Sequence, residues 1–163
     1  METEDLLDLT IHSDLRGVRH GLDRVNTVLV ANGYDADLRG SVQILLAEVM
    51  NNIVKHAYGE GGQGMIKVLV TVCEPSLQFR ITDTGVPLPD FAARPKDYDL
   101  INTPVEHLPE GGFGWNLISQ IATNLDYCRE DDQNILTFEI RLSQHGQGLS
   151  LDERANLQPQ PGG

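Results

Sequence analysis

The residues from Leu45 to Tyr58, LLAEVMNNIVKHAY, constrain the fold more than any other stretch because they form an uninterrupted helical pattern. The stretch contains no proline or glycine, and apolar residues in and just before it recur at helical spacing. They are Val42, Leu45, Leu46, Val49 and Ile53. At about 100° per residue, these side chains fall within an arc of about 100°. The pattern predicts an amphipathic helix that packs one face against a core.

A second stripe of side chains runs along the edge of this predicted helix. Glu48, Asn52 and Lys55 occupy positions i, i+4 and i+7, so they follow one another along the same side. The stripe places an acid, an amide and a base beside the core face. It is either the solvated flank of an ordinary helix or part of a binding site, and the helix alone favours neither interpretation.

The bulk composition is typical of one soluble globular domain. The chain has 163 residues, of which 40% are hydrophobic and 22% are charged. The sequence has no apolar run as long as a membrane span, and its acidic N-terminus resembles neither a signal peptide nor a transit peptide. We therefore expect a cytoplasmic protein without a membrane partner.

The net charge of −12 limits the partners of the chain. A field of this sign repels nucleic acid, so no nucleic-acid partner is expected. It also repels free nucleotides, and a nucleotide site would need a divalent metal, backbone N–H groups or a helix N-terminus as local compensation. Cys73 and Cys128 lack metal-ligand spacing and are predicted to be buried free thiols.

Helical and strand patterns alternate along the rest of the chain. The first predicted elements are an edge strand within 1–13, a helix capped by Ser13 and ended by Asn32-Gly33, and the central helix opened by Asp35. Two strands follow at 65–73 and 77–83, and a further helix is predicted after Gly114. The last predicted element is a hairpin of 125–129 and 135–142, with its turn at 130–134. This order predicts an α+β two-layer sandwich, with helices on one face of a mixed, mostly antiparallel sheet. We assign the domain to 1–142 and predict that 143–163, rich in Gln, Gly and Pro, is a disordered tail.

Asp83 stands where the strand pattern makes a charge costly. Leu77, Phe79 and Ile81 alternate with polar residues, and a period of two puts Asp83 on their apolar face. A carboxylate on the core side is costly unless something hydrogen-bonds it. No partner is evident from the sequence, so Asp83 marks a candidate binding position.

A long irregular segment precedes a glycine cluster. Residues 84–110 contain five prolines and little apolar periodicity, which is typical of a functional or mobile loop. The segment leads into GGFG at 111–114, followed directly by a helical pattern. Gly112 and Gly114 would let backbone N–H groups approach a ligand, and the helix offers its N-terminus to an anion. Together with Glu48, Asn52 and Asp83, this order favours a phosphate-bearing ligand.

Three motifs in this order resemble the nucleotide-binding boxes of one superfamily. EVMNNIVKHAY at 48–58 resembles the N box of the GHKL (Bergerat-fold) ATPases, DTGVP at 83–87 resembles their first glycine box, and GGFG at 111–114 resembles their second. Within the superfamily, Glu-x-x-x-Asn followed by His-Ala-Tyr is most similar to bacterial anti-sigma-factor serine kinases of partner-switching systems. The resemblance covers the chain from Leu15 to Leu142 and implies the Bergerat type of sandwich.

The resemblance implies roles for residues on the central helix. Asn52 matches the Mg²⁺ ligand, and an amide oxygen suits a hard cation that keeps several waters. Asn51 leaves a one-residue ambiguity, but Asn52 lies one turn from Glu48. Glu48 matches the acid that orients or deprotonates the attacking hydroxyl; the alternative is a structural acid near the metal. Lys55 is either a phosphate-neutralising cation or a solvated lysine, and His56 matches a packing or lid-contacting position.

The two glycine boxes complete the implied ATP site. Asp83 matches the carboxylate that accepts a hydrogen bond from the exocyclic amine of adenine, which would supply its missing partner. Gly85 would allow the purine to approach closely. Gly112, Phe113 and Gly114 match the second box, which implies that they contact the phosphates.

Three functions are compatible with these motifs. The first is an ATP- and Mg²⁺-dependent kinase that phosphorylates Ser or Thr on an anti-sigma-factor antagonist protein and sequesters a sigma factor or similar regulator. The second is an ATP-dependent sequestration module without kinase activity, and Glu48 favours the first over it. The third, a detached catalytic domain of a histidine kinase, is disfavoured because no helix with a phosphoacceptor His precedes the boxes. Arg16 and Arg19 mark the partner-docking helix by resemblance; the oligomeric state stays open, with a homodimer among the options.

Overall fold

This computed structural model describes residues 3–58, 63–87 and 120–142, together with Glu153. Helices and strands cover most of these residues. The elements are β1 (Glu4–His12), α1 (Leu15–Ala31), α2 (Ala36–His56), β2 (Met65–Cys73), β3 (Ser76–Asp83), β4 (Thr123–Glu130) and β5 (Gln133–Arg141). The predicted edge strand, first two helices and four later strands are thus present. Within these ranges, neither helix is long and apolar enough to cross a membrane.

The five described strands form one sheet in the order β1-β2-β3-β5-β4. Every pairing between them is antiparallel. The described part of the sheet is therefore wholly antiparallel, whereas the sequence predicted a mixed, mostly antiparallel sheet. The predicted α+β class is confirmed. Strand β5 lies between β3 and β4, which places the start of β5 beside the end of β3.

The core lies between one face of the sheet and the two helices. Alternate residues of β2 are fully buried because successive side chains of a strand point to opposite faces. Phe79 of β3 stacks on Phe138 of β5, with ring centroids 5.0 Å apart. The five apolar residues predicted to form the core arc of α2 are all buried. This packing fixes the rotation of α2 and therefore the direction of its polar stripe.

The two helix starts are set by aspartates. Asp35 caps α2 as predicted, with its Oδ1 accepting from the Leu38 N–H at 2.8 Å. Asp14, rather than Ser13, caps α1 by accepting from the Gly17 N–H at 2.6 Å. The prediction for Ser13 was wrong because its own N–H donates to the Gly64 carbonyl, which keeps Ser13 beside the sheet.

The β4–β5 hairpin turns more tightly than the sequence suggested. Its turn consists of Asp131 and Asp132, whose φ angles are 48° and 62°, and Glu130 pairs with Gln133 on either side. Two successive residues with positive φ are typical of the tight turns that match strand twist. The predicted five-residue turn was therefore too long. Asn134, assigned to the turn, instead belongs to β5 and pairs with Asp83.

Cys73 and Cys128 are free, as predicted, but half-buried rather than buried. Desolvation raises the pKa of the Cys73 thiol, and the negative charges of Glu139 and Asp5 raise it further. The predicted tail at 143–163 lies outside the described residues except for Glu153, so the domain boundary stays a prediction.

Candidate functional site

The C-terminal end of α2 packs directly against the residues that follow β3. The Val86 N–H donates to the Ala57 carbonyl at 2.9 Å. Gly85 lies so close that an added Cβ would be 2.6 Å from the same carbonyl oxygen. Asn52 is five positions before Ala57, about 7.5 Å along the helix axis. The fold thus brings the helix with Glu48 and Asn52 to the end of β3.

Asp83 occupies the position that the alternation predicted, on the apolar face at the end of β3. Its side chain is 3% exposed. The Gly85 N–H donates to Asp83 Oδ1 at 2.8 Å, and Asn134 Nδ2 donates to the same oxygen at 2.9 Å. No partner for Asp83 is evident from the sequence, and the structure supplies two. Among the described residues, both hydrogen bonds to this carboxylate reach Oδ1.

Asn134 is the centre of a hydrogen-bond network. Its Nδ2 also donates to the carbonyl oxygens of Gly85, at 3.0 Å, and Val86, at 3.2 Å. Its Oδ1 accepts from Arg129 Nη1 at 2.7 Å and from the Tyr127 hydroxyl at 3.0 Å. Arg129 Nη1 also donates to the Gly85 carbonyl at 3.1 Å. We call this set the Asp83 network: Asp83, Gly85, Val86, Tyr127, Arg129 and Asn134.

Burial and the Asp83 network have opposite effects on the pKa of the Asp83 carboxyl group. Desolvation raises the pKa of its carboxyl group and is the largest influence. The hydrogen bonds from Asn134 and Gly85 and the positive charge of Arg129 lower the pKa and offset part of this rise. Because the net shift is upward, the folded protein disfavours the ionised form relative to the unfolded chain.

The raised pKa predicts a pH-dependent gain in stability for Asp83→Asn. A raised folded-state pKa contributes stability below the unfolded-state pKa of about 3.9, and this contribution is lost as pH rises through the folded-state pKa. The asparagine Oδ1 still accepts from Gly85 and Asn134. We therefore expect the variant to melt at a higher temperature than wild type at pH 7, with the difference shrinking below about pH 4. Thermal unfolding from pH 3.5 to 8 measures this, and a lower melting temperature for the variant at pH 7 would contradict it.

The Tyr58 side chain, just after α2, hydrogen-bonds to the start of β2 and to the residue that follows β3. Its hydroxyl donates to the Met65 carbonyl at 3.1 Å and accepts from the Thr84 N–H at 2.9 Å. Gly64 lies so close beneath the ring that an added Cβ would overlap it. Tyr58 is the last residue of the motif at 48–58, and the resemblance implies no role for it. It joins the end of α2 to the start of β2 and to the residue after Asp83.

The polar side chains in the second half of α2 differ in their exposure to solvent. Glu48 and Asn52 are half-buried, whereas Asn51, Lys55 and His56 are exposed. The Asn52 amide nitrogen is buried without a hydrogen-bond partner among the described residues. A buried N–H donor without a partner needs an explanation, and an acceptor atom on a ligand would supply one. This observation distinguishes Asn52 from its exposed neighbour Asn51.

The side chains of the described residues suit a metal site that has few protein ligands. Within the described ranges, no group of three or more His, Cys, Asp or Glu side chains is placed to hold a metal ion. Mg²⁺ at nucleotide sites commonly takes one or two protein oxygens, with phosphate oxygens and waters completing its shell. The Asn52 amide fits that limited role. Gly112, Phe113 and Gly114 lie outside the described residues, and their phosphate contacts stay predictions.

Gly85→Ala is expected to lower stability because the new methyl group has no space. Its Cβ would lie 2.5 Å from the Ala57 Cβ and 2.6 Å from the Ala57 carbonyl oxygen. Overpacking of this kind costs about 1–3 kcal/mol. Gly40→Ala is the matched control, since nothing lies within 4 Å of its added Cβ and it stands inside α2. The control should gain up to about 1 kcal/mol. Urea unfolding measures both, and equal stability of the two variants would contradict the packing argument.

Comparisons with known proteins agree with this architecture. A family model described as a histidine kinase-like ATPase domain matches residues 11–140. Serine-protein kinase RsbW of Bacillus mycoides (strain KBAB4) is 33% identical over 117 residues, which cover 69% of this chain and 72% of the relative. Serine-protein kinase RsbW of Bacillus cereus (strain ATCC 10987 / NRS 248) is 34% identical over 118 residues, with the same two coverages.

A solved structure shows the same fold. It is the crystal structure of the RsbU and RsbW domains of Rv1364c from Mycobacterium tuberculosis, with a TM-score of 0.58 and 12% sequence identity. The match covers 92% of this chain and 35% of that chain, so this chain spans about a third of the other. The family match extends over most of the sequence, from the last residues of β1 to the end of β5. This chain therefore belongs to the family of histidine kinase-like ATPase domains.

Proposed function

We propose that this protein is an ATP- and Mg²⁺-dependent serine/threonine kinase that phosphorylates an anti-sigma-factor antagonist protein in a cytoplasmic partner-switching system. The observation that carries the proposal is the packing of Ala57, at the end of the helix that carries Glu48 and Asn52, against Gly85 and Val86 just after Asp83. The names of the relatives, serine-protein kinases, support the same activity. Phosphoryl transfer depends mainly on positioning and charge neutralisation, which such a site supplies.

Adenine recognition is assigned to Asp83. Both described hydrogen bonds to its carboxylate reach Oδ1, which leaves Oδ2 as the acceptor for a ligand. The exocyclic amine of adenine donates a hydrogen bond, whereas guanine carries a carbonyl oxygen at the same ring position and would be repelled. A site built to accept a donor rejects analogues that lack it more strongly than an apolar pocket could.

Metal binding is assigned to Asn52. Its half-buried side chain leaves Oδ1 able to face a metal, and a phosphate oxygen beside that metal would be an acceptor for Nδ2, which is unpaired among the described residues. When bound with ATP, Mg²⁺ would neutralise charge on the phosphates and help to align them. Lys55 is exposed three positions farther along α2 and is assigned a supporting charge toward the phosphates.

Glu48 is assigned the general-base role. It lies one turn before Asn52, about 6 Å along the helix axis, on the same stripe. A carboxylate at this position would accept the proton of the attacking serine or threonine hydroxyl. Its half-buried position leaves part of the side chain accessible to a substrate.

The partner surface is assigned to the N-terminal half of α1. Arg16 and Arg19 are exposed on this helix and offer two cations on a chain whose net charge is −12. An acidic segment of the antagonist or of a sigma factor would match them. The same surface would serve either protein, which is what an exchange of partners requires.

Radiolabelled ATP and a panel of antagonist proteins test the proposal. We expect Mg²⁺-dependent transfer of the γ-phosphate to a serine or threonine of one antagonist, with the label stable to conditions that hydrolyse phosphohistidine. Nucleotide-dependent capture of an antagonist without transfer would favour the sequestration module instead. Label on histidine would indicate a histidine-kinase activity and overturn the proposal.

A further inference from the structure

Asn134 is held in one orientation by partners on both sides of its amide. The side chain is 1% exposed, and it pairs with Asp83 across the β3–β5 ladder. Its oxygen faces two donors, Arg129 Nη1 and the Tyr127 hydroxyl. Its nitrogen faces three acceptors: Asp83 Oδ1 and the carbonyl oxygens of Gly85 and Val86.

This arrangement prevents the amide from turning over. A rotated amide would set its NH₂ group against the donors of Arg129 and Tyr127 and its oxygen against the Asp83 carboxylate. Each buried donor or acceptor left unpaired in this way destabilises the rotated orientation. Arg129 and Tyr127 therefore determine that Asn134 presents a donor, not an acceptor, to Asp83.

We propose that Asn134 is a positioning residue for purine selection, because its fixed donor engages Oδ1 of Asp83 and leaves Oδ2 as the acceptor for the base. The inference rests on the proposed ATP-binding function. It adds a residue that lies outside the three recognised motifs. Through Arg129 and Tyr127, the β4–β5 hairpin also contributes to selection of the nucleotide base.

Asn134→Asp is the informative variant because it preserves size while replacing the donor to Asp83 with an acceptor. The new carboxylate can still accept from Arg129 and Tyr127, so the hairpin contacts are kept. Two adjacent carboxylates cannot both ionise freely, so they share a proton over a range of pH. The other charged or titratable groups of the network are the Arg129 guanidinium and the Tyr127 hydroxyl.

The expected result is a pH-dependent loss of nucleotide selectivity. Calorimetry with Mg-ATP and Mg-GTP should show that Asn134→Asp lowers the ratio of ATP to GTP affinity at least tenfold at pH 7.5. The ratio should recover on acidification to pH 5.5, because the introduced carboxyl group, once protonated, again donates to Asp83. A residue that only held the hairpin together would give no such recovery.

Asn124→Asp is the matched control on the same hairpin. Asn124 Nδ2 donates to Glu139 Oε2 at 3.0 Å, so this substitution also replaces an amide donor to a carboxylate. Both side chains are solvent-accessible and distant in the strand register from Asp83. The control should keep the wild-type affinity ratio at both pH values.

A second variant covers the case in which Asn134→Asp does not fold. Arg129→Met removes one donor to Asn134 at a side chain that is 34% exposed. It should lower the affinity ratio severalfold, without recovery at pH 5.5. If wild type prefers ATP and folded Asn134→Asp and Arg129→Met keep its ratio, the inference about Asn134 is overturned while the proposed function stands. If wild type binds neither nucleotide, the proposed function fails, and the inference fails with it.

Discussion

Glu48→Gln is expected to bind Mg-ATP with wild-type affinity and to lose phosphotransfer by a factor of about 10²–10⁴. Glutamine preserves the size and polarity of the half-buried side chain on α2. It cannot accept the proton that the attacking hydroxyl must release. Calorimetry gives the nucleotide affinity, and single-turnover transfer to the antagonist gives the rate of the chemical step.

Two further variants on α2 separate the base from the metal ligand. Asn52→Ala should lose the Mg²⁺ dependence of ATP binding itself, which Glu48→Gln should retain. Asp37→Asn removes an exposed carboxylate from the first turn of the same helix and should transfer phosphate at the wild-type rate. If Glu48→Gln is as fast as wild type, Glu48 is a structural acid and the base lies elsewhere.

Asp83→Asn is expected to weaken ATP binding at least tenfold, about 1.4 kcal/mol, and to shift preference toward GTP. The asparagine retains Oδ1 for Gly85 and Asn134, so the variant should keep the fold. Its NH₂ group then occupies the position of Oδ2 and faces the adenine amine, donor against donor. The same group would match the carbonyl oxygen of guanine.

Titration with both nucleotides measures the shift. An unchanged ratio of ATP to GTP affinity would show that Asp83 does not read the base. Because the same substitution is expected to raise thermal stability at pH 7, weak ATP binding cannot be ascribed to unfolding if both results are obtained. A gain in stability with a loss of binding is typical of residues kept for function at a cost to the fold.

The positions of individual side chains within elements were predictable from the sequence. Period two placed Asp83 on the apolar face of its strand, and helical spacing placed Glu48 and Asn52 beside the core arc. Both predictions hold because backbone geometry alone fixes the direction of a side chain within a regular element. Helix α2 begins at Asp35 for an equally local reason, the capping of its first turn.

The partners of Asp83 were not predictable in the same way. Asn134 is 51 positions away in sequence, and its contact depends on β5 pairing with β3 and on the register of that pairing. Neither follows from local patterns. The turn at Asp131 and Asp132 was also missed, since two left-handed aspartates lack the glycine that usually marks such turns. Because the predicted turn was too long, it included Asn134 among loop residues.

The antiparallel ladder between β3 and β5 makes the residues at its end depend on one another. From Ser76 opposite Arg141 to Asp83 opposite Asn134, the two strands pair without a register shift. Asp83 and Asn134 face each other at the end of this ladder, and Arg129 of β4 contacts Asn134 from the next strand, so each supplies a hydrogen bond that another uses. A substitution that removes the hydrogen-bonding group of any one of the three therefore leaves a donor or acceptor of another without its partner, unless a second substitution replaces it. Relatives that differ at this end of the sheet are thus expected to differ at more than one of these positions.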